Sequence, residues 1–265
     1  MDRWKLLKSF SSEFGYFWRS VLENFPEWIV TACLGVCSVI ISLSIEPKQG
    51  VVFYENFSER YQYVGETLST PVLGLIIIVL PCFVIGLLSI IYPRKMELAF
   101  SGMSFAQAMC LTFLITEALK VTVARPRPNF FDYCQYDQKL HKCTGPAKSK
   151  RDSRLSFPSG HASMSFTAGT WMYLFLGRFF QKSELWFLLV RMIPLFVAIA
   201  VSATRIIDHM HHVSDVVSGA ILGIGIGFIF YTNQHKRIFM QKRKREDEEE
   251  GDEYETSLLS FEDEI

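Results

Sequence analysis

The 265 residues are 49% hydrophobic with 23 phenylalanines, a length that suits one or two soluble domains, but the apolar residues fall in blocks that argue against either reading. The formal net charge of +0 conceals asymmetry, since Lys242, Arg243, Lys244 and Arg245 are followed directly by an acidic run from Glu246 to Glu250, and this balance gives no support to a nucleic-acid partner. Six cysteines include no CxxC pair, which argues against a zinc site.

In chain order, residues 1–27 carry many polar side chains and lack the form of a cleavable signal peptide, so the uncharged block 28–45 is expected to be a retained membrane span. The block 71–92 is apolar for long enough to cross a bilayer core. Four less purely apolar spans follow at 103–123, 162–177, 185–203 and 213–231, giving an all-α polytopic protein of about six transmembrane helices. The expected division is a cytoplasmic N-terminal segment (1–27), a six-helix membrane domain (28–235) and a charged, disordered cytoplasmic tail (236–265). With an even number of spans, the connections 46–70, 124–161 and 204–212 share one face. Arg3, Lys5, Lys8, Arg19, Arg94, Lys95, Arg178, Lys182 and the tail cluster lie on the other, which places both termini in the cytoplasm. The opposite, lumenal or extracellular face then carries Asn56-Phe57-Ser58, a glycosylation triplet, and the cysteines of the polar sequence, Cys134 and Cys143, which can pair in an oxidising compartment. Gly219, Gly223 and Gly227 recur every four residues on the last span and admit a close helix neighbour, preferably within the chain and alternatively in a homo-oligomer.

Charged residues at the ends of membrane helices need partners or water, and three groups stand out. The first is Lys120, Arg125 and Arg127, where Pro126 and Pro128 stop the third helix and fix the chain direction. Arg125 reads equally well as a snorkelling residue. Phe157-Pro158-Ser159-Gly160-His161 leads into the fourth helix, and amides at a helix start point towards an anion such as phosphate. The third group is Arg205, Asp208, His209, His211, His212 and Asp215, in which His211 and Asp215 share a helix face. A carboxylate so placed holds one imidazole nitrogen as a donor and leaves the other as nucleophile or base. Metal binding is the competing use of this histidine cluster, although few further ligands are within the sequence to complete it.

Taken together, Lys120-x6-Arg127-Pro128, Pro158-Ser159-Gly160-His161 and Arg205-x5-His211-x3-Asp215 resemble, in order and spacing, the type 2 phosphatidic acid phosphatase superfamily. Within it the chain is similar to the membrane-bound lipid phosphate phosphatases, over about residues 71–231. The resemblance implies hydrolysis of phosphatidate or related lipid phosphates, with no cofactor and no metal. His211 would form a phosphohistidine, Asp215 would orient it, and His161 would protonate the leaving alkoxide and then activate water. Lys120, Arg127, Ser159, Gly160 and Arg205 would bind the phosphoryl oxygens. The partners implied are a lipid phosphate substrate and membrane lipids. Thr204 departs from the usual serine before the arginine but keeps the hydroxyl. Glu117 is a supporting candidate beside Lys120, while His209, His212 and Arg191 read as structural. A lipid phosphotransferase on the same scaffold and a non-catalytic membrane lipid-binding protein are the alternatives.

Overall fold

A computed structural model describes residues 21–22, 24–48, 50, 52–91 and 97–262. Residues 1–20 and 92–96, which include Arg94 and Lys95, lie outside the described residues. The chain is all-α and polytopic. Helix α1 is Phe25–Ser44, with Pro26 in its first turn, where a missing N–H costs nothing. Helix α2 covers 70–91, α-helical at Thr70–Gly74 and Leu80–Ile91 with π-helical Leu75–Val79 between them. Helix α3 is Glu97–Val123, and Ala124 follows it at φ 49 with Pro126 close behind, so the helix ends where the sequence placed its stop. Helix α4 is Gly160–Leu176, α5 is Leu185–Ile207 and α6 is Val213–Glu262.

Among the described residues, five helices are long and apolar enough to cross a membrane: Phe25–Ser44, Thr70–Leu88, Phe100–Val123, Leu185–Ile207 and Val213–Met240. The remaining one, α4, has 17 residues, about 26 Å at 1.5 Å per residue, which is the short limit for a span. It is the central helix, packed by α3, α5 and α6. Its small residues explain how. Ser163, Thr167, Ala168 and Gly169 are buried, Thr116 Oγ1 and Ser163 Oγ lie 2.9 Å apart, and Thr112 Oγ1 and Thr167 Oγ1 lie 2.8 Å apart. Hydroxyl pairs of this kind hold helices together where apolar burial against lipid contributes little. The glycine stripe of α6 faces α4. An added Cβ would come within 2.7 Å of Ser159 O at Gly219 and 2.8 Å of Thr167 O at Gly227, so the two backbones touch. Trp171 fills the centre of the core against Phe105, Phe175 and Tyr231. Large apolar side chains such as Val36, Phe83, Phe196 and Phe228 point outwards, as lipid-facing residues do.

The connections before α2, α4 and α6 meet at one end of the bundle. The Tyr61 and Tyr63 amides donate to Pro128 O (3.0 Å) and Asp132 Oδ2 (2.7 Å), and the Thr67 amide donates to Asp208 Oδ2 (2.8 Å). The connection before α4 contains a one-turn helix Phe130–Tyr133, an antiparallel pair β1 (Tyr136–Asp137) and β2 (Lys142–Cys143), and a helix Ala147–Asp152. A disulfide joins Cys134 to Cys143 with Cα atoms 5.3 Å apart.

Two helices run past their expected ends. Helix α6, expected to end at 231, continues to Glu262. Its Lys, Arg, Gln and Glu residues are strong helix formers, and Gln234, Arg237 and Ile238 tie the emerging helix to α3 and α1 through Ser101, Glu27 and Phe100. Helix α5 also runs past residue 203 to Ile207, so Arg205 belongs to its last turn and not to a loop.

Candidate active site

Three helix ends converge on a cavity of about 530 Å³. Lys120 comes from the end of α3, Gly160 and His161 from the start of α4, Arg205 from the end of α5, and His211 from the turn entering α6. Arg127 arrives on the segment after α3, whose backbone is paired with the segment before α4: the Arg127 amide donates to Ser153 O at 2.8 Å and the Ser156 amide to Arg125 O at 3.1 Å. The sequence motifs are thus brought together by one small patch of backbone pairing.

His211 is buried, and its Nδ1 lies 2.7 Å from the Ser156 carbonyl oxygen. A carbonyl only accepts, so Nδ1 carries the proton and Nε2 keeps its lone pair. Burial pushes the imidazole well below its ordinary value of 6.5, the charges of Arg127 and Lys120 push in the same direction, and the Ser156 bond opposes them. Burial and these charges favour the neutral ring.

The expected direct link from Asp215 to His211 is absent. Asp215 Oδ2 lies 4.0 Å from His211 Nδ1, too far for a hydrogen bond. Its oxygens are occupied by Arg125 Nη1 (2.6 Å), Ser156 Oγ (2.6 Å), the His212 amide (3.0 Å) and His212 Nδ1 (3.2 Å). Asp215 fixes Ser156, and Ser156 fixes His211. Arg125, equally a snorkelling residue by sequence, is an anchor of this carboxylate.

Arg205 is almost fully buried. It donates from Nη2 to Asp208 Oδ2 (2.9 Å) and from Nε to Thr204 Oγ1 (3.1 Å), so the threonine hydroxyl is used. Its Nη1 faces His161 Nε2 at 3.4 Å. Lys120 Nζ is 2.6 Å from Glu117 Oε1, and an added Cβ at Gly160 would stand 3.1 Å from that ammonium. Arg127 Nη1 reaches the Met210 sulfur at 3.5 Å, its guanidinium stands 6.0 Å from the Tyr133 ring centroid, and its buried Nε has no hydrogen-bond partner among the described residues. A thioether is a weak acceptor, which leaves this guanidinium ready for an anion.

Ser159 does not line the cavity. Its amide donates to Asp215 O (3.0 Å), and its hydroxyl caps α4 by accepting from the Ala162 amide (3.4 Å). The structure thus gathers Lys120, Arg127, Gly160, His161, Arg205 and His211 around the cavity and sets Ser159 and Asp215 behind it. Asn56 is exposed, and its side-chain amide donates to Glu59 Oε1 at 3.0 Å. His209 stacks on Tyr61 away from the cavity. Among the described residues no group of three or more His, Cys, Asp or Glu is arranged to hold a metal ion. Sequence reasoning missed Ser156 and Asp208 as an anchor. A backbone acceptor such as the Ser156 carbonyl leaves no signal in side-chain type, and Asp208 carried one only through its spacing from Arg205.

On its other flank the cavity is apolar, formed by Leu73, Ile77 and Ile78 of α2, Phe113 of α3 and Met164 of α4. A cationic surface and a hydrocarbon surface share one space.

Residues 101–239 match the PAP2 superfamily model. Lipid phosphate phosphatase 2 of Arabidopsis thaliana is 31% identical over 218 residues, 77% of this chain and 75% of its own length. Diacylglycerol pyrophosphate phosphatase 1 of Saccharomyces cerevisiae is 29% identical over 217 residues, 71% and 74% of the two lengths. Lipid phosphate phosphatase 1 of Arabidopsis thaliana is 30% identical over 222 residues, 77% and 66%. No solved structure matches the chain. The motif spacing, the helical bundle that joins the motifs and the family match lead to one conclusion: the chain belongs to the PAP2 superfamily.

Proposed function

We propose that this protein is a lipid phosphate phosphatase that hydrolyses the monoester of phosphatidate and related lipids through a phosphohistidine at His211, without a metal ion. The observation that carries this reading is the 2.7 Å contact of His211 Nδ1 with the Ser156 carbonyl, which leaves Nε2 as the acceptor, at a cavity that is cationic on one flank and apolar on the other. The phosphate dianion is received by Lys120, Arg127 and Arg205, fixed charges that stabilise the equatorial oxygens in transfer. Nε2 attacks phosphorus, the N–P bond forms and the ester P–O bond breaks. His161, protonated at Nε2 from solvent once the dianion is bound, gives that proton to the departing alkoxide. Its Nε2 accepts from Arg205 in the resting site, and the incoming dianion supplies the negative charge that favours its protonation. Water then attacks phosphorus with His161 as base, and inorganic phosphate leaves.

The same reading orients the protein. The face holding the cavity, the Cys134–Cys143 disulfide and exposed Asn56 is lumenal or extracellular, and both termini are cytoplasmic. The names of the relatives, lipid phosphate phosphatase and diacylglycerol pyrophosphate phosphatase, support the substrate class. The test is phosphate release from phosphatidate by purified protein in excess chelator. Release by the wild type and none by His211→Ala is expected. Activity that disappears in chelator and returns with magnesium removes the metal-free mechanism, and transfer to a lipid alcohol in place of phosphate release identifies a phosphotransferase.

A further inference from the structure

The cation-rich cavity contains a carboxylate that the reaction above does not use. Glu66, on the connection between α1 and α2, lines the cavity, and its Oε2 stands 4.0 Å from Arg205 Nη1. That contact is longer than a hydrogen bond. Arg205 does not need it for charge balance, because Asp208 already holds Arg205 at 2.9 Å and both are buried. The other carboxylates lining the cavity have nearer partners, Glu117 in Lys120 at 2.6 Å and Asp152 in Arg151 at 3.6 Å. Glu66 is also the more accessible member of its pair, 32% exposed against 1% for Arg205. It is nevertheless fixed in place, because the next residue, Thr67, bonds to Asp208 through its amide and its hydroxyl.

Its position has a chemical meaning. The Arg205 nitrogen that faces Glu66 also faces His161 Nε2, at 3.4 Å. His161 is the proton donor to the leaving oxygen, so Glu66 borders the space into which the leaving group extends. We propose that Glu66 selects among lipid phosphates by what is attached beyond that oxygen. A hydroxyl or ammonium on the neighbouring carbon, as in lysophosphatidate or a sphingoid base phosphate, donates to the carboxylate. A leaving group that is itself an anionic phosphate, as in diacylglycerol pyrophosphate, is repelled. Phosphatidate, with an acyl ester at that carbon, brings neither. The proposal rests on the phosphatase reading and names the specificity residue of that same site.

The experiment is kcat/KM of the full-length protein in mixed micelles for phosphatidate, lysophosphatidate, a sphingoid base phosphate and diacylglycerol pyrophosphate. Wild type is compared with Glu66→Gln, Glu66→Ala and Glu66→Asp. Loss of a charge-assisted bond is expected to lower the sphingoid-to-phosphatidate ratio about tenfold in Glu66→Gln. The pyrophosphate-to-phosphatidate ratio is expected to rise, and Glu66→Asp, which keeps the charge, is expected to return both ratios towards wild type. A change by one common factor on all four lipids is what loss of support for Arg205 produces, and it overturns the role of Glu66 while leaving the phosphatase intact. A wild type that releases phosphate from none of the four overturns the phosphatase reading and this one with it.

Discussion

His211 and Asp215 show how one histidine can be fixed without a direct carboxylate bond. Where an aspartate bonds directly to a catalytic imidazole, its amide analogue costs about 10⁴ in kcat. Here a backbone carbonyl sets the tautomer and Asp215 acts through Ser156, so Asp215→Asn is expected to cost about 10–100-fold in single-turnover phosphoryl transfer. A 10⁴-fold loss would restore the direct role. The two histidines separate by leaving group: His161→Ala should lose less on an aryl phosphate than on a short-chain alkyl phosphate, because an aryl oxide needs less help from an acid. His211→Ala should lose both alike, and equal losses for His161→Ala would reject it as the acid. Burial also gives His211 a pH signature. Its folded pKa lies below 6.5, so as pH falls beneath that value the unfolded state binds the extra proton and stability is lost, with a limiting slope of about 1.4 kcal/mol per pH unit. Melting curves of His211→Gln against wild type between pH 7 and 5 should show that component missing from the variant. Parallel curves would contradict a neutral buried ring.

At the scale of elements, the contact between α4 and α6 positions the site. Ser159 is bonded to Asp215 O, and Gly219 lies against Ser159 O, so the start of α4 and the start of α6 are held as one unit. Gly227 makes the equivalent contact at Thr167, eight residues further along α6 and about 12 Å away. Gly219→Val and Gly227→Val are both expected to destabilise by about 1–3 kcal/mol, as overpacked contacts do. Only Gly219→Val should also lower kcat sharply, since it displaces His161 from His211. Equal kcat losses measured beside thermal melts would refute this division. Sequence alone carried the helical class and picked out Lys120, Arg127, Gly160, His161, Arg205 and His211, because apolar blocks and polar residues at helix ends are local patterns. It did not carry the Ser156 carbonyl or the shift of Ser159 to a helix cap, which depend on how segments far apart in the chain pair their backbones. Helix α6 outruns its apolar block because residues 236–262, although dense in charge, have the propensities of a helix, and contacts of Gln234, Arg237 and Ile238 hold it where the apolar block ends.

Across the whole molecule, the three connections at one end form a cover over the bundle. The first connection bonds to Pro128, Asp132 and Asp208, and the Cys134–Cys143 disulfide closes the loop beneath Tyr54, Phe131 and Tyr136. Closing so short a loop restricts the unfolded chain by about 2–3 kcal/mol, so Cys143→Ser should lower the melting temperature, and reductant should do the same to wild type but not to the variant. The variant melting like the wild type in the absence of reductant would show that the bond does not form. The proposed mechanism turns on one chemical event, the transfer of phosphate to His211 Nε2. Rapid quench of wild type with labelled short-chain phosphatidate in chelator, followed by mapping of the labelled peptide, tests it most directly. An acid-labile phosphoryl group on His211 that forms and decays at rates consistent with turnover is expected, and label on His161 or turnover with no phosphoenzyme would contradict the mechanism.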